Sequence, residues 1–316
     1  MDELIKVDHL YKYFDTPKGE LHAVDDVSFS IKKSQTLGVV GESGCGKSTL
    51  GRTLLRILDA TGGSVYFEGE DINSFNKKEL INFRREAQLI FQDPYASLNP
   101  RLTVSEIIAE PLIVSKKYKT RGELDRAVFK MMGMVGLASK LVNTYPHELD
   151  GGRRQRIGIA RALVLEPKFV VCDEPVSALD VSIQAQILNL LMDMQEEMKL
   201  TYMFITHDLS VVRHISDEIA VMYLGKCVEK GKVKDVFENP QHPYTKALLS
   251  AIPVPNLSRR GKPMELLSGE VSNPIEPPVS CRFASRCLFA KPECFKKNME
   301  LNLCGNDHFV ACDFVK

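Results

Sequence analysis

Gly41-Glu42-Ser43-Gly44-Cys45-Gly46-Lys47-Ser48-Thr49 decides how this chain is read. The stretch matches the phosphate-binding pattern G-x-x-x-x-G-K-[ST]. Thr36-Leu37-Gly38-Val39-Val40 before it is a short apolar run of the kind that forms a buried strand. Leu50, Leu54, Ile57 and Leu58 after it fall on one face of a helix. Strand, glycine-rich turn and helix, in that order, are the context in which the pattern holds a nucleotide phosphate. Gly41, Gly44 and Gly46 let the backbone wrap close to an anion. Successive N–H groups of the loop, those of Glu42, Ser43 and Cys45 included, then point inward. The helix starting near Lys47 adds its positive end. Lys47 reaches the β- and γ-phosphates, the Ser48 hydroxyl binds Mg²⁺, and Thr49 donates to a phosphate oxygen.

Composition sets outer limits. At 316 residues there is room for a full nucleotide domain and something smaller. Lys+Arg and Asp+Glu both number 41, so the chain has no net charge and no electrostatic footprint for nucleic acid. No apolar run approaches the roughly 20 residues that cross a bilayer. Met1-Asp2-Glu3 does not open a signal peptide. The expectation is a cytosolic chain whose eight cysteines are thiols or metal ligands rather than disulfides.

In chain order, Leu4–Val7 and Leu21–Ile31 read as strands, joined through Phe14–Gly19. Phe14 closes an aromatic cluster with Tyr11 and Tyr13; it suits either base stacking or a hairpin core. Strands follow at Val65–Phe67 and Gln88–Phe91, with a polar helix near 77–85 between them. Gln92 ends the second of these strands, where it can meet a metal or water at the phosphates. Residues 101–146 are apolar at helical spacing and read as an inserted helical subdomain. A helix opens after Leu149-Asp150-Gly151-Gly152-Arg153. The apolar strand 168–172 then ends in Asp173 and Glu174. Asp173 can hold Mg²⁺ and Glu174 can polarise the attacking water. Asp180 precedes a further helix, and the strand Thr201–Thr206 ends at His207. In a parallel sheet, the strand ends bearing Lys47/Ser48, Asp173/Glu174 and His207 gather along one edge, where ligands bind.

These motifs, in this order and spacing, resemble the ATP-binding subunits of ABC transporters over residues 4 to about 250. The resemblance implies an α/β fold. Its P-loop NTPase core holds a parallel-rich sheet, an N-terminal antiparallel β subdomain and an inserted helical subdomain at about 98–155. A small cysteine-containing extension follows at 251–316. It also implies roles. Phe14 is the base-stacking aromatic, Gly41–Thr49 the Walker A loop and Gln92 the Q-loop glutamine. Asp150, Gly151, Gly152 and Arg153 stand at the signature. Asp173 and Glu174 are the Walker B pair, Asp180 the D-loop acid and His207 the switch histidine. Asn239–Leu249 and the cysteine tail resemble the oligopeptide/dipeptide importer branch. That branch implies a second, different ATPase subunit, two membrane permeases and an extracellular peptide-binding protein. The ATPase lies peripherally on the cytoplasmic face of the membrane. A related importer of nickel or another small solute is the alternative.

One departure matters. The family signature is usually Leu-Ser-Gly-Gly-Gln, and its serine meets the γ-phosphate bound by the opposite subunit. Here Asp150 replaces Ser and Arg153 replaces Gln. Aspartate is as good a helix N-cap as serine. A carboxylate facing a phosphate is another matter, because two like charges at about 4 Å repel by about 4 kcal/mol at an effective dielectric near 20. Either Asp150 impairs the site it closes, or it turns away and only caps the helix.

The tail carries Cys281, Cys287, Cys294, Cys304 and Cys312 after a proline-rich stretch, 253–278, expected to be an extended connector. None of these spacings is C-x₂-C, which argues against a zinc ribbon. In the peptide-importer branch the comparable cysteines imply a [4Fe–4S] cluster, here on Cys281, Cys287, Cys294 and Cys312 with Cys304 spare. Zinc and plain thiols stay open. Cys45 and Cys172 lie in the P-loop and a buried strand and are not ligand candidates. There is no Asn/Thr-Lys-x-Asp motif for guanine, and Lys47 and Asp150 stand too close for a long coiled-coil insertion. A purely structural module leaves Glu174 and His207 unexplained.

Overall fold

The computed structural model describes residues 3–251, 273–305 and 307–314. The connector expected at 253–278 lies outside the described residues as far as 272. The chain forms two compact units that do not follow sequence order. One holds Ile31–Gln35 and Ser74–Ile205, with the chain start to Leu4. The other holds Ile5–Ser30, Thr36–Asn73 and the chain from Thr206 onward.

In the first unit, strands Ala87–Ile90, Phe169–Asp173 and Thr201–Ile205 lie parallel, with Phe169–Asp173 in the middle. Phe169–Asp173 and Thr201–Ile205 are buried at every residue. That is why they read as unbroken apolar runs rather than alternating ones. The expected helical subdomain is present as Val104–Ser115 and Arg121–Met134. Each begins with a capping box, Thr103 with Glu106 and Thr120 with Glu123. Helix Gly151–Leu163 buries Ile157, Ala160 and Leu163. Helix Val181–Met198 buries Ile187, Leu191 and Met194.

Gly19–Lys32, Glu3–Thr16, Gly62–Phe67 and Glu70–Asp71 form an antiparallel sheet in that order, the N-terminal β subdomain, most of whose residues belong to the second unit. The hairpin is longer than the two short strands expected, because the strand from Glu3 runs through Phe14 to Thr16. The P-loop strand Thr36–Val40 pairs in parallel with Glu218–Tyr223. A tight turn at Leu224 and Gly225, both with positive φ, leads back through Lys226–Lys232. The tail strand His308–Val310 adds to that strand, and Asn302–Gly305 adds to the tail strand. Val40, Val221, Tyr223, Tyr244 and Phe283 share one buried cluster, against which Cys281 and Cys287 pack. The cysteine tail is therefore built into the core behind the P-loop strand. Among the described residues no helix is long and apolar enough to cross a membrane.

Two buried polar residues fasten this arrangement. Glu229 is fully buried and accepts the backbone N–H groups of Gln241 at 2.7 Å and His242 at 2.9 Å. Its Oε1 also lies 2.7 Å from His308 Nε2. His242 Nδ1 in turn accepts the N–H of Tyr244 at 3.1 Å, which requires a neutral ring nitrogen there. Burial, and secondarily Lys246, pushes the His242 imidazole from the ordinary 6.5 down to about 3. The unfolded chain therefore takes up this proton first. The stability His242 contributes is complete above about pH 6.5 and is lost as pH falls toward 3. Urea unfolding of wild type and of His242→Asn, at pH 7 and at pH 5, measures this directly. The stability gap between the two proteins is expected to shrink by about 2 kcal/mol over that interval.

Candidate functional site

The P-loop is shaped by crowding. Gly41 has φ 150°, and a Cβ there would lie 2.2 Å from the carbonyl oxygen of Met222. Gly46 has φ 100°, and its Cβ would lie 1.9 Å from the carbonyl oxygen of Ala23. Neither position accepts a side chain. Lys47 is 5% exposed, and its ammonium donates to the carbonyls of Gly41 at 2.7 Å and Glu42 at 3.0 Å. Ser48 and Thr49 follow in the first turn of helix Lys47–Leu54, whose cap Gly46 supplies no side chain. Burial pushes the Cys45 thiol up, so this loop cysteine stays protonated. His207 belongs to the same unit. The residue before it, Thr206, donates its N–H to Val39 at 3.1 Å, one position short of the end of the P-loop strand.

The acids sit in the first unit. Asp173 is 2% exposed at the end of its strand. Glu174 follows in the left-handed region, φ 47°, with its N–H on the carbonyl of Ile205 at 3.0 Å. A non-glycine residue in that region is held there by its surroundings, and such strain collects at working sites. Gln92 Nε2 donates to Glu174 Oε2 at 3.0 Å. The structure thus brings Gln92 and Glu174 together.

The helix starts at Asp150 and Asp180 lie close together. Asp150 caps helix Gly151–Leu163, accepting the Arg153 N–H at 2.8 Å, and its other oxygen lies 3.4 Å from the Arg153 guanidinium. Asp180 caps the next helix through the N–H of Ile183 at 3.1 Å. A Cβ on Gly152 would lie 2.7 Å from Ile183 Cγ2, so the two helix starts pack tightly.

The model of the ABC transporter family matches residues 24–177, from before the P-loop strand to just past Glu174. The model of the oligopeptide/dipeptide transporter C-terminal region matches residues 228–294. The chain is 51% identical to the oligopeptide transport ATP-binding protein OppF of Haemophilus influenzae, covering 92% of this chain and 88% of the relative. It is 47% identical to the dipeptide transport ATP-binding protein DppF of Escherichia coli, covering 98% and 93%. Among solved structures, the ATP-binding cassette MJ0796, a dimer bound to ADP and Pi after hydrolysis, is similar at TM-score 0.67 and 29% identity. That match covers 72% of this chain and 98% of MJ0796.

The chain belongs to the ABC transporter ATP-binding proteins, in their oligopeptide/dipeptide branch. In this ABC ATPase Phe14 is half-buried, with the Lys12 ammonium 4.8 Å from its ring centroid. Its neighbour Tyr13 stacks on His22 at 3.9 Å and donates its hydroxyl to Asp25 at 2.7 Å. Among the described residues no group of three or more His, Cys, Asp or Glu is placed to hold a metal ion. Burial pushes Cys281 up to about 11, and the charges of Cys294, Cys312 and Cys287 add to the shift. Cys287 is raised as well. The Cys294 sulfur accepts the N–H of Lys291 at 3.4 Å.

No local sequence pattern marks what the tail arginines and Tyr244 do. Arg282 pairs with Asp25, Arg286 pairs with Glu42, and Tyr244 Oη accepts the N–H of Glu42 at 2.9 Å. Only their position beside Cys281 and Cys287 singles the arginines out.

Asp150 is placed here as a cap. Asp150→Ala is expected to lower unfolding free energy by about 1 kcal/mol, and Asp150→Ser by no more than a few tenths. Chemical denaturation of the three proteins measures it.

Proposed function

We propose that this chain is the ATP-hydrolysing subunit of an importer of oligopeptides or dipeptides, lying on the cytoplasmic face of the membrane. The observation that carries the reading is the P-loop, where two glycines keep side chains out of a backbone cradle that ends at Lys47. Relatives named for oligopeptide and dipeptide transport support the cargo class. A related importer of nickel or another small solute remains the alternative. Lys47 and the N–H groups of the loop Gly41–Thr49 take the phosphates, apart from those of Glu42 and Cys45, which the Tyr244 hydroxyl and the Glu42 carbonyl already hold, and Phe14 takes the base. Ser48, Gln92 and Asp173 suit Mg²⁺, being a hydroxyl, an amide and a carboxylate. Glu174 accepts a proton from the attacking water, and Gln92, already on its carboxylate, fixes its direction. His207 contacts the γ-phosphate. ATP binding closes this subunit on a second ATPase, and hydrolysis reopens the pair. Two permeases docked near Gln92 and the helical subdomain follow the motion, and a peptide-binding protein delivers cargo outside the cell. The coupling is a shift between two states that differ in affinity for nucleotide.

The pair is asymmetric on this reading. This subunit keeps Lys47, Asp173, Glu174 and His207, so its own nucleotide, closed by an ordinary signature, is turned over. The nucleotide of the second ATPase is closed by Asp150 and Arg153 and is turned over slowly or only held. The experiment is ATPase activity of the assembled transporter with Glu174→Gln here, against the equivalent change in the second subunit. The first is expected to abolish most turnover, by about 100-fold, and the second to cost about two-fold or less. Equal losses overturn the asymmetry.

A finer reading concerns the tail. Thiolates are the donors that iron–sulfur clusters and zinc take. Cys281, Cys287, Cys294 and Cys312 are near enough for the last three to act electrostatically on the first. They do not form a converged ligand set among the described residues, and no step of the ATPase cycle is routed through them. We assign them to a [4Fe–4S] cluster, with zinc as the alternative. Protein purified without oxygen is expected to carry iron and acid-labile sulfide and to absorb in the visible. Colourless protein with one zinc, or with no metal, overturns the cluster.

A further inference from the structure

The tail segment Cys281-Arg282-Phe283-Ala284-Ser285-Arg286-Cys287 reaches the nucleotide-binding stretches of its own unit at two points. The Arg286 side chain is 6% exposed and grips Glu42 as a fork. Nη1 donates to Oε2 at 2.8 Å and Nη2 to Oε1 at 3.1 Å. Nη1 also donates to the Tyr223 hydroxyl at 3.3 Å. Glu42 is the second residue of the P-loop. Its N–H donates to the Tyr244 hydroxyl at 2.9 Å, so its backbone and its carboxylate are both held from the C-terminal part of the chain. Phe283 locks the two tyrosines, with its ring 5.2 Å from Tyr223 and 5.4 Å from Tyr244. Arg282, four residues earlier, pairs with Asp25, which accepts the hydroxyl of Tyr13 beside Phe14.

A carboxylate inside a loop that grips a polyanion works against its ligand. Glu42 avoids this only while its charge is matched, and the planar fork of an arginine matches a carboxylate in charge and in direction. We propose that Arg286 is a positioning residue of the nucleotide site. By cancelling the charge of Glu42 and fixing its side chain, it keeps the P-loop receptive to a nucleoside triphosphate. The cysteine tail is thereby a working part of ATP binding. The proposal rests on the ATP-binding reading above. It differs from a purely structural role in one respect: the harm done by losing Arg286 comes from the carboxylate left behind, so removing that carboxylate undoes it.

The test measures the Kd of a fluorescent ATP analogue with Mg²⁺ on the full chain, with a thermal melt for every variant. Arg286→Gln is expected to raise Kd about ten-fold, and Arg286→Gln with Glu42→Gln to return it to within about two-fold of wild type. Lys47→Ala is the reference for lost phosphate binding. If Lys47→Ala loses binding while Arg286→Gln binds like wild type, the proposal alone is overturned. If the Arg286→Gln defect persists in the double variant, charge cancellation is overturned. If Lys47→Ala also binds like wild type, the ATP reading falls, and this proposal with it. Should Arg286→Gln not fold, the double variant decides. Binding within about two-fold of wild type supports the proposal and a ten-fold loss overturns it.

Discussion

Two backbone carbonyls set the terms for this molecule. The oxygens of Met222 and Ala23 stand so close to Gly41 and Gly46 that no Cβ fits at either residue. The loop between them has positive φ at Gly41, Gly44 and Gly46, which only glycine adopts without strain. A backbone bent this way presents N–H groups where other loops present side chains, and N–H groups are what a triphosphate needs. The flanking structure follows from that requirement. The strand pairing that brings Met222 near, the antiparallel hairpin that carries Ala23, and the helix that starts at Lys47 all fix the loop from outside.

Much of this was legible in the sequence because the relevant strands are buried on both faces. Phe169–Asp173 and Thr201–Ile205 read as continuous apolar runs, so the sequence alone locates where these strands end. The returning hairpin Glu218–Lys232 was missed although Gly225 marks its turn, because the preceding residue, Leu224, is not one that usually takes positive φ. The tail strands were missed for a different reason. Asn302–Gly305 is exposed throughout and shows no two-residue period, so its only cue is its pairing partner. The Arg286–Glu42 pair joins residues 244 apart, and no local pattern announces it.

Asp150 shows where a charge argument needs geometry. From sequence its carboxylate reads as an obstacle to phosphate. In the structure one oxygen caps a helix and the other faces Arg153, so the two replacements in the signature answer each other within the subunit. The charge of Asp150 is thereby offset within the chain. The cysteines teach a similar lesson. Their spacing was plain, but the protonation that burial favours at Cys281 and Cys287 and the tail's grip on the P-loop came only from the fold.

On the function proposed above, ATP held in the cradle that ends at Lys47 drives transport. The most direct measurement is ATP-driven uptake of a labelled oligopeptide by the complete transporter in proteoliposomes, with Lys47→Ala against wild type. Uptake falling to the level seen without ATP is the expected result. Uptake at the wild-type rate would contradict the account.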